Sequence, residues 1–190
     1  ALLSFVCGIV ITGGLHLDGL MDTADGVAAG KKRCLEAMRD SRVGAAGVQA
    51  MVVILLIQLS ALIKLNSLAP IGIPIATFWA RCAPFWAIER FQYLHVDGSA
   101  AFHQLHWKRW KELIPTFLIL FTTYAILYLA PSTLLKSTPL IIGITIGILP
   151  AFLVPHLIGK KLGGHSGDSY GASLVIVETF MLLVLAIIWQ

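Results

Sequence analysis

The chain has 190 residues, of which 57% are hydrophobic and 13% are charged, and its formal net charge is +4. Soluble domains are about half apolar and about a quarter charged, so this scarcity of charge excludes an ordinary soluble domain. The excess of positive charge is not accompanied by a basic strand with interleaved aromatic residues or by a helix-turn-helix pattern. We therefore expect no nucleic-acid partner.

Long apolar stretches follow one another along the chain. Stretches of about 20 apolar residues predict membrane-spanning helices, because lipid offers no water to satisfy free backbone groups. We therefore predict an all-α, polytopic bundle of about six spans that forms a single domain, residues 1–190. The chain begins inside the first stretch, so we expect further residues before it. The predicted spans are residues 1–15, 43–63, 69–92, 113–130, 139–159 and 173–189.

Positive charges are distributed unevenly between these spans. Segments 16–42, 90–112 and 160–172 hold eleven Lys and Arg residues, whereas the two alternate gaps hold two. The positive-inside rule makes the rich segments cytoplasmic. The acidic residues outside the spans lie in the same three segments. We therefore predict a site at the cytoplasmic edge of the bundle, in the cell membrane.

The first cytoplasmic segment begins with an acidic motif, GLHLDGLMDTADG. Asp18, Asp22 and Asp25 are spaced i, i+4 and i+7, so they share one face of a helix. Three like charges on one face repel each other, and Mg²⁺, with Mn²⁺ as a substitute, would neutralise them through hard oxygen ligands. A solvated polar helix start, or a helix cap, is the alternative interpretation.

Small residues and one histidine accompany these acids. Gly19 and Gly26 lie on nearly the same helical face as the carboxylates. They provide either close packing between helices or room for a bulky phosphate ester. His16 precedes the acids, and we assign it to the substrate-binding set without a defined chemical role.

A second motif, MRDSRVGAAG, precedes the next apolar stretch. Asp40 adds a fourth carboxylate, and the flanking Arg39 and Arg42 offer bidentate donors to phosphate. Ser41 is a candidate helix cap and substrate ligand. Interfacial anchoring of the two arginines is the alternative interpretation.

A third motif, GGHSGDSYGA, joins the last two predicted spans. Backbone amides around Gly164, Ser166 and Gly167 are candidates to cradle a phosphate group. Asp168 is a candidate to bind a metal or to orient a hydroxyl group, and His165 is a candidate acid or base. An ordinary glycine-rich turn is the alternative interpretation.

The three motifs resemble, in order and approximate spacing, those of the cobalamin-5′-phosphate synthase family, also called adenosylcobinamide-GDP ribazoletransferases. The resemblance runs from Thr12 to about Glu178. It implies a bilayer-embedded enzyme that joins the corrinoid phosphate of adenosylcobinamide-GDP to α-ribazole or its 5′-phosphate, with release of GMP and with Mg²⁺ as cofactor. A homo-oligomer is left open.

The resemblance also suggests how the residues share this chemistry. A metal pair would neutralise the pyrophosphate, and Arg39 and Arg42 would act as catalytic donors to the charge that moves in the transition state. Asp25 is the hypothetical acceptor of the proton from the attacking hydroxyl group. The expected metal ligands are Asp18, Asp22, Asp25 and Asp40.

Two other functions compete with this interpretation. Residues 22–29 match the D-x-x-D-G-x-x-A part of the CDP-alcohol phosphotransferase pattern, but Gly30 replaces its arginine. Val43 and Gly47 also stand where that pattern requires two further acids. The non-enzyme alternative is a divalent-cation transporter, whose sites usually lie near the middle of the bilayer.

Overall fold

The chain is predominantly helical in the part that the computed structural model describes, which comprises residues 2–94, 102, 105–108, 110–129 and 138–189. Within these residues the only pairing of the β type is a single bridge between Tyr93 and His165. The all-α prediction is confirmed. The helices are α1 (Leu2–Ile11), α2 (Leu15–Ala29), α3 (Cys34–Ala37), α4 (Ala45–Leu65), α5 (Ala69–Arg90), α6 (Trp110–Leu129), α7 (Thr138–Ile146), α8 (Ile148–Leu162) and α9 (Gly167–Ile188).

Several of these helices have the length and apolar character of membrane spans. Two consecutive helices, Phe5–Ile11 and Leu15–Ala28, are bent by 84° relative to each other. Counted together, they would form one further span. The prediction of a helical membrane protein is confirmed, whereas the number of six spans stays a prediction. The stretches that qualify by themselves are Ala45–Arg90, Ile141–Leu162 and Gly167–Ile188.

Helix α9 lies at the centre of the described bundle and packs against α2, α4, α5 and α8. Its Met181 and Leu185 are fully buried, and the same core cluster contains the fully buried Ala76 and Ala80 of α5. Small side chains let two helices approach closely. In lipid this close packing matters because the hydrophobic effect does not drive apolar helices together. The close contact between α5 and α9 therefore follows from the alanine-rich sequence of α5.

A glycine turn sets the direction of α2. Gly13 and Gly14 have φ angles of +58° and +71°, which residues with a side chain rarely adopt. Beyond this turn, Leu20 of α2 is buried against Ala172 and Val175 of α9. The turn thus places the acidic motif beside the first turns of α9 and α4.

Candidate active site

The first two motifs meet at one cavity of about 310 Å³. Motif one contributes its three carboxylates from α2, and motif two contributes the segment that leads into α4. The predicted association of these two motifs is therefore present in the structure. We call this space the acid cavity; its lining residues are Asp18, Met21, Asp22, Asp25, Met38, Arg39, Asp40, Ser41, Arg42 and Val43.

Asp22 lies where negative charge is most concentrated. The carboxylates of Asp18, Asp168 and Asp25 are all close enough to act on it electrostatically. Asp168 comes near because Gly19 lies directly against its backbone, where a Cβ atom would overlap. Within the described part of the chain, neither Asp18 nor Asp22 accepts a hydrogen bond or forms an ion pair. Several carboxylates, two of them without a hydrogen-bond or ion-pair partner among the described residues, are thus gathered at this point.

Asp25 differs from its neighbours, because both of its oxygens already have partners. Its Oδ2 accepts a hydrogen bond from the backbone N–H of Gly44, and its Oδ1 accepts one from that of Gly47, each at 2.8 Å. Helix α4 begins at Ala45 with Gly44 as its N-cap. The prediction that Ser41 caps this helix is therefore wrong, since a carboxylate from α2 satisfies these amides instead.

A divalent cation suits the donors of the acid cavity. Among the described residues, no three His, Cys, Asp or Glu side chains are close enough together to hold a metal by themselves. Mg²⁺, however, commonly binds through one or two carboxylates together with waters and substrate phosphates. The unpartnered Asp18 and Asp22 supply hard oxygen donors of this kind, so the residues fit Mg²⁺ bound jointly with a phosphate ligand.

Asp40 and Arg42 form a pair on the opposite wall of the cavity. The Arg42 Nη2 lies 2.7 Å from Asp40 Oδ2, and the Arg42 backbone N–H also donates to Asp40 Oδ1, at 3.0 Å. The hydrogen bonds from the Arg42 side chain and backbone hold the pKa of Asp40 well below its usual value, at about 2. Asp40 thus stays ionised and fixes the turn that presents Arg42, whose side chain is 87% exposed.

The third motif is folded inward instead of lining the cavity. His165 and Ser166 are both 0% exposed. The imidazole lies with Nε2 2.9 Å from the Pro155 carbonyl and Nδ1 2.9 Å from Ser169 Oγ. Because the carbonyl can only accept, Nε2 carries the proton and Nδ1 is the acceptor of a neutral ring. Burial lowers the pKa of His165 to about 4.

Ser166 and its neighbours complete a helix start. The Ser166 hydroxyl accepts a hydrogen bond from the Ser169 amide, and the Ser169 hydroxyl accepts one from the Ser166 amide, which makes a capping box for α9. Gly164 is buried against the Gln92 carbonyl and Leu94, and Gly167 is the first residue of α9. Of the third motif, only Asp168 is close to the acid cavity. Substrate contacts by Gly164, Ser166 and Gly167 stay predictions.

The remaining residues of motif one serve packing or a different cavity. Gly26 lies against the side chain of Met38, so close helix packing explains it. His16 lines a second cavity, of about 210 Å³, together with Arg81 and Glu178. There the Thr77 hydroxyl donates to Glu178 at 2.8 Å. His16 is therefore separate from the acid cavity, and its contact with substrate stays a prediction.

Gly44 and Gly47 are the functional residues that the sequence did not identify. A Cβ atom at either position would overlap the Asp25 carboxylate. The available signal was the pair of glycines three residues apart at the start of an apolar helix, which places both on one face. Their spacing indicates a close approach, although it does not name the partner.

The fold and the acid cavity define a class: a polytopic helical membrane protein with a site lined by carboxylates and arginines. Residues 1–186 match the model of the family described as cobalamin-5-phosphate synthase. The chain therefore belongs to the cobalamin-5-phosphate synthase family, which makes it a transferase of cobalamin synthesis.

Individual relatives agree with this assignment. A Prochlorococcus marinus protein named adenosylcobinamide-GDP ribazoletransferase is 54% identical, over 99% of this chain and 74% of its own length. Relatives with the same name come from Trichormus variabilis, at 38% identity over 95% of the chain and 71% of the relative, and from Desulfitobacterium hafniense, at 34% over 92% and 68%. No solved structure matches the chain.

Proposed function

We propose that the chain transfers the adenosylcobinamide-phosphate part of adenosylcobinamide-GDP to α-ribazole or α-ribazole 5′-phosphate, in a Mg²⁺-dependent reaction that releases GMP. The observation that carries the proposal is that one cavity is lined by Asp18 and Asp22, which have no partner among the described residues, together with Arg39 and Arg42. Such a cavity suits a substrate that brings both phosphate groups and their metal. The names of the relatives supply the substrates.

The transfer exchanges one phosphorus–oxygen bond for another. The ribazole hydroxyl oxygen forms a bond to the phosphorus atom on the corrinoid side of the pyrophosphate, and the bond from that phosphorus to the bridging oxygen breaks. GMP leaves with the electron pair of the broken bond, and the hydroxyl proton passes to a carboxylate. Of Asp18 and Asp22, the carboxylate that does not bind the metal is the better placed acceptor, because hydrogen bonds already engage both oxygens of Asp25. Asp25 as the base stays a prediction.

Charge neutralisation is the main task of the protein in this reaction. Mg²⁺ held by Asp18 or Asp22 together with the phosphate would withdraw charge from the phosphate oxygens when it is bound. Arg42 is exposed toward solvent and can turn from Asp40 to a phosphate oxygen, while Arg39 lines the same wall. Both guanidinium groups offer paired donors that match phosphate geometry. A cavity of about 310 Å³ suits the pyrophosphate better than the much larger corrinoid.

We also propose that the acid cavity faces the cytoplasm from the cytoplasmic membrane. The support is the excess of Lys and Arg in the segments that form the cavity and its surroundings. A soluble nucleotide-linked substrate would then reach the site directly from the compartment that supplies it.

The test is an assay on membranes that contain the chain. Adenosylcobinamide-GDP, α-ribazole and Mg²⁺ are added, and both the corrinoid product and GMP are measured. We expect the two products to form in equal amounts. A parallel reaction with α-ribazole 5′-phosphate decides the acceptor, and chelation of Mg²⁺ with readdition of Mn²⁺ tests the metal. Absence of corrinoid product, together with CMP release from a CDP-alcohol, would overturn the proposal.

The comparisons favour this activity over the two alternatives. A family match that covers residues 1–186 leaves no support for a CDP-alcohol phosphotransferase or a cation transporter. The position of Asp25 points the same way, because it lies against the start of α4 and not against the middle of that helix. A transport site near the bilayer midplane would not need the exposed arginines of motif two.

A further inference from the structure

Asp25 connects two helices at the edge of the acid cavity. Its carboxylate belongs to α2, but its two hydrogen bonds, both 2.8 Å long, go to Gly44 and Gly47 at the start of α4. The first amides of a helix have no partner within the helix and require an acceptor from elsewhere. The usual acceptor is a side chain at the N-cap, which a glycine does not have. Asp25 therefore caps α4 from a different helix, with both of its oxygens.

The sequence at the start of α4 is adapted to this contact. A methyl group on Gly44 or Gly47 would overlap the Asp25 carboxylate, and on Gly47 it would also lie 2.9 Å from the Met21 carbonyl oxygen. At position 47, inside the first turn, alanine is otherwise the better helix former by roughly 1 kcal/mol. The glycine at this position is thus explained by the carboxylate that it admits, and Gly44 leaves room for the same carboxylate at the N-cap.

The contact also determines where the arginines stand. Segment 38–43 ends directly at Gly44, so the position of α4 relative to α2 fixes one end of the segment. The pairing of Asp40 with Arg42 makes the segment a defined turn. Arg39 and Arg42 line the acid cavity together with Asp18 and Asp22, and the segment that carries the arginines is attached to the start of α4, which Asp25 holds.

We infer that Asp25 is a positioning residue: it docks α4 on α2 and so holds the arginine-bearing segment against the metal-binding carboxylates, without touching the reacting atoms. This inference rests on the proposed function for its catalytic consequence. Its structural part, the capping of α4 by Asp25, stands independently of which substrates are used.

The experiment compares Asp25→Ala, Gly47→Ala and the double variant in membranes and in detergent. Each single change removes the same contact from one side, so each should raise KM for adenosylcobinamide-GDP by about tenfold while kcat changes by less than about threefold. The double variant should be less impaired than the two single effects added together, because the carboxylate is absent and the new methyl group then meets only the Met21 carbonyl oxygen. Gly8→Ala is the matched control, since open space surrounds that glycine.

Hydrogen exchange measures the structural part without substrate. Amides of residues 44–48 should exchange at least about tenfold faster in Asp25→Ala and in Gly47→Ala than in the wild type or in Gly8→Ala. Unchanged exchange in both variants would overturn the inference. Loss of kcat by about 10³-fold in Asp25→Ala, with wild-type kinetics in Gly47→Ala, would also overturn it, because Asp25 would then contact the reacting atoms.

The two readouts separate this inference from the proposed function. If the wild-type protein releases no GMP from the corrinoid substrate, the proposed function fails, and the exchange data still decide the role of Asp25. If Asp25→Ala does not yield folded protein, Gly47→Ala decides the inference by both measurements, since this variant keeps all the carboxylates.

Discussion

The first and third motifs look alike in sequence but have opposite environments in the structure. Each combines glycines, one histidine and aspartate near the start of an apolar helix. In the first motif, Asp18 and Asp22 have no partner within the described residues and lie among other acids. In the third, His165 and Ser166 are fully buried and hydrogen-bonded. The carboxylates without a partner among the described residues mark the candidate site. The hydrogen bonds of His165 and Ser166 instead indicate a structural role in the buried loop before α9.

The largest effect should come from Asp22, which this comparison identifies as the centre of the site. We expect Asp22→Asn to lower kcat/KM by about 10³-fold, because under the proposed function the variant loses a charge that would hold Mg²⁺ against the phosphates. The unfolding midpoint in detergent should stay equal or rise slightly, since the change relieves repulsion from Asp18, Asp168 and Asp25. GMP release and thermal unfolding are measured on the same preparation.

A surface acid provides the control for this prediction. Glu36 is also acidic and lies in the same segment between predicted spans, residues 16–42, but it is exposed and pairs with Arg33 at 3.5 Å. Glu36→Gln should leave kcat/KM within about twofold, because an exposed ion pair contributes little. Equal losses in the two variants would mean that general surface charge, and not the acid cavity, supports turnover.

His165 should affect stability through its protonation. Its pKa of about 4 in the folded protein lies below the ordinary value of 6.5, so between these values the unfolded chain binds more protons. The stability that the neutral ring contributes is complete above about pH 6.5 and falls as the pH drops through about 4. The free energy of unfolding decreases by about 3 kcal/mol at most.

Measurement of the unfolding midpoint in detergent from pH 7.5 to pH 4.5 tests this prediction. The wild-type midpoint should fall more steeply toward acid than that of His165→Asn, which has no titrating ring. At pH 7.5 the variant should be the less stable protein, because it disturbs the contacts with Pro155 and Ser169. Parallel pH curves would show that His165 is not buried as a neutral group.

Some of this architecture could be predicted from local sequence, and some could not. The helical class follows from apolar length, and the shared face of Asp18, Asp22 and Asp25 follows from helical spacing. The different roles of these acids depend instead on how α2 meets α4, since Gly44 and Gly47 lie about 20 residues from Asp25 in sequence. Neighbouring residues carry no signal for such a contact.

The burial of the third motif depends on an even more distant segment. The His165 amide donates to the Gln92 carbonyl at 2.9 Å, and the Leu94 amide donates to the His165 carbonyl at 2.7 Å. This short pairing closes the loop against the end of α5. A glycine-rich loop in sequence has the composition of a phosphate cradle and of a tight buried turn alike, so only its long-range partners distinguish the two.

The smallest effect should come from Ser166, and it separates a structural role from substrate contact. Ser166→Ala removes the hydroxyl that caps α9 and should lower stability by about 1 kcal/mol. Ser173→Ala is the matched control: its buried hydroxyl donates to the Ser169 carbonyl inside the helix, at 2.7 Å, and its loss should cost less. Both variants should keep kcat/KM within about twofold. If Ser166→Ala instead loses turnover at unchanged stability, Ser166 contacts the substrate, and the third motif belongs to the site together with the first.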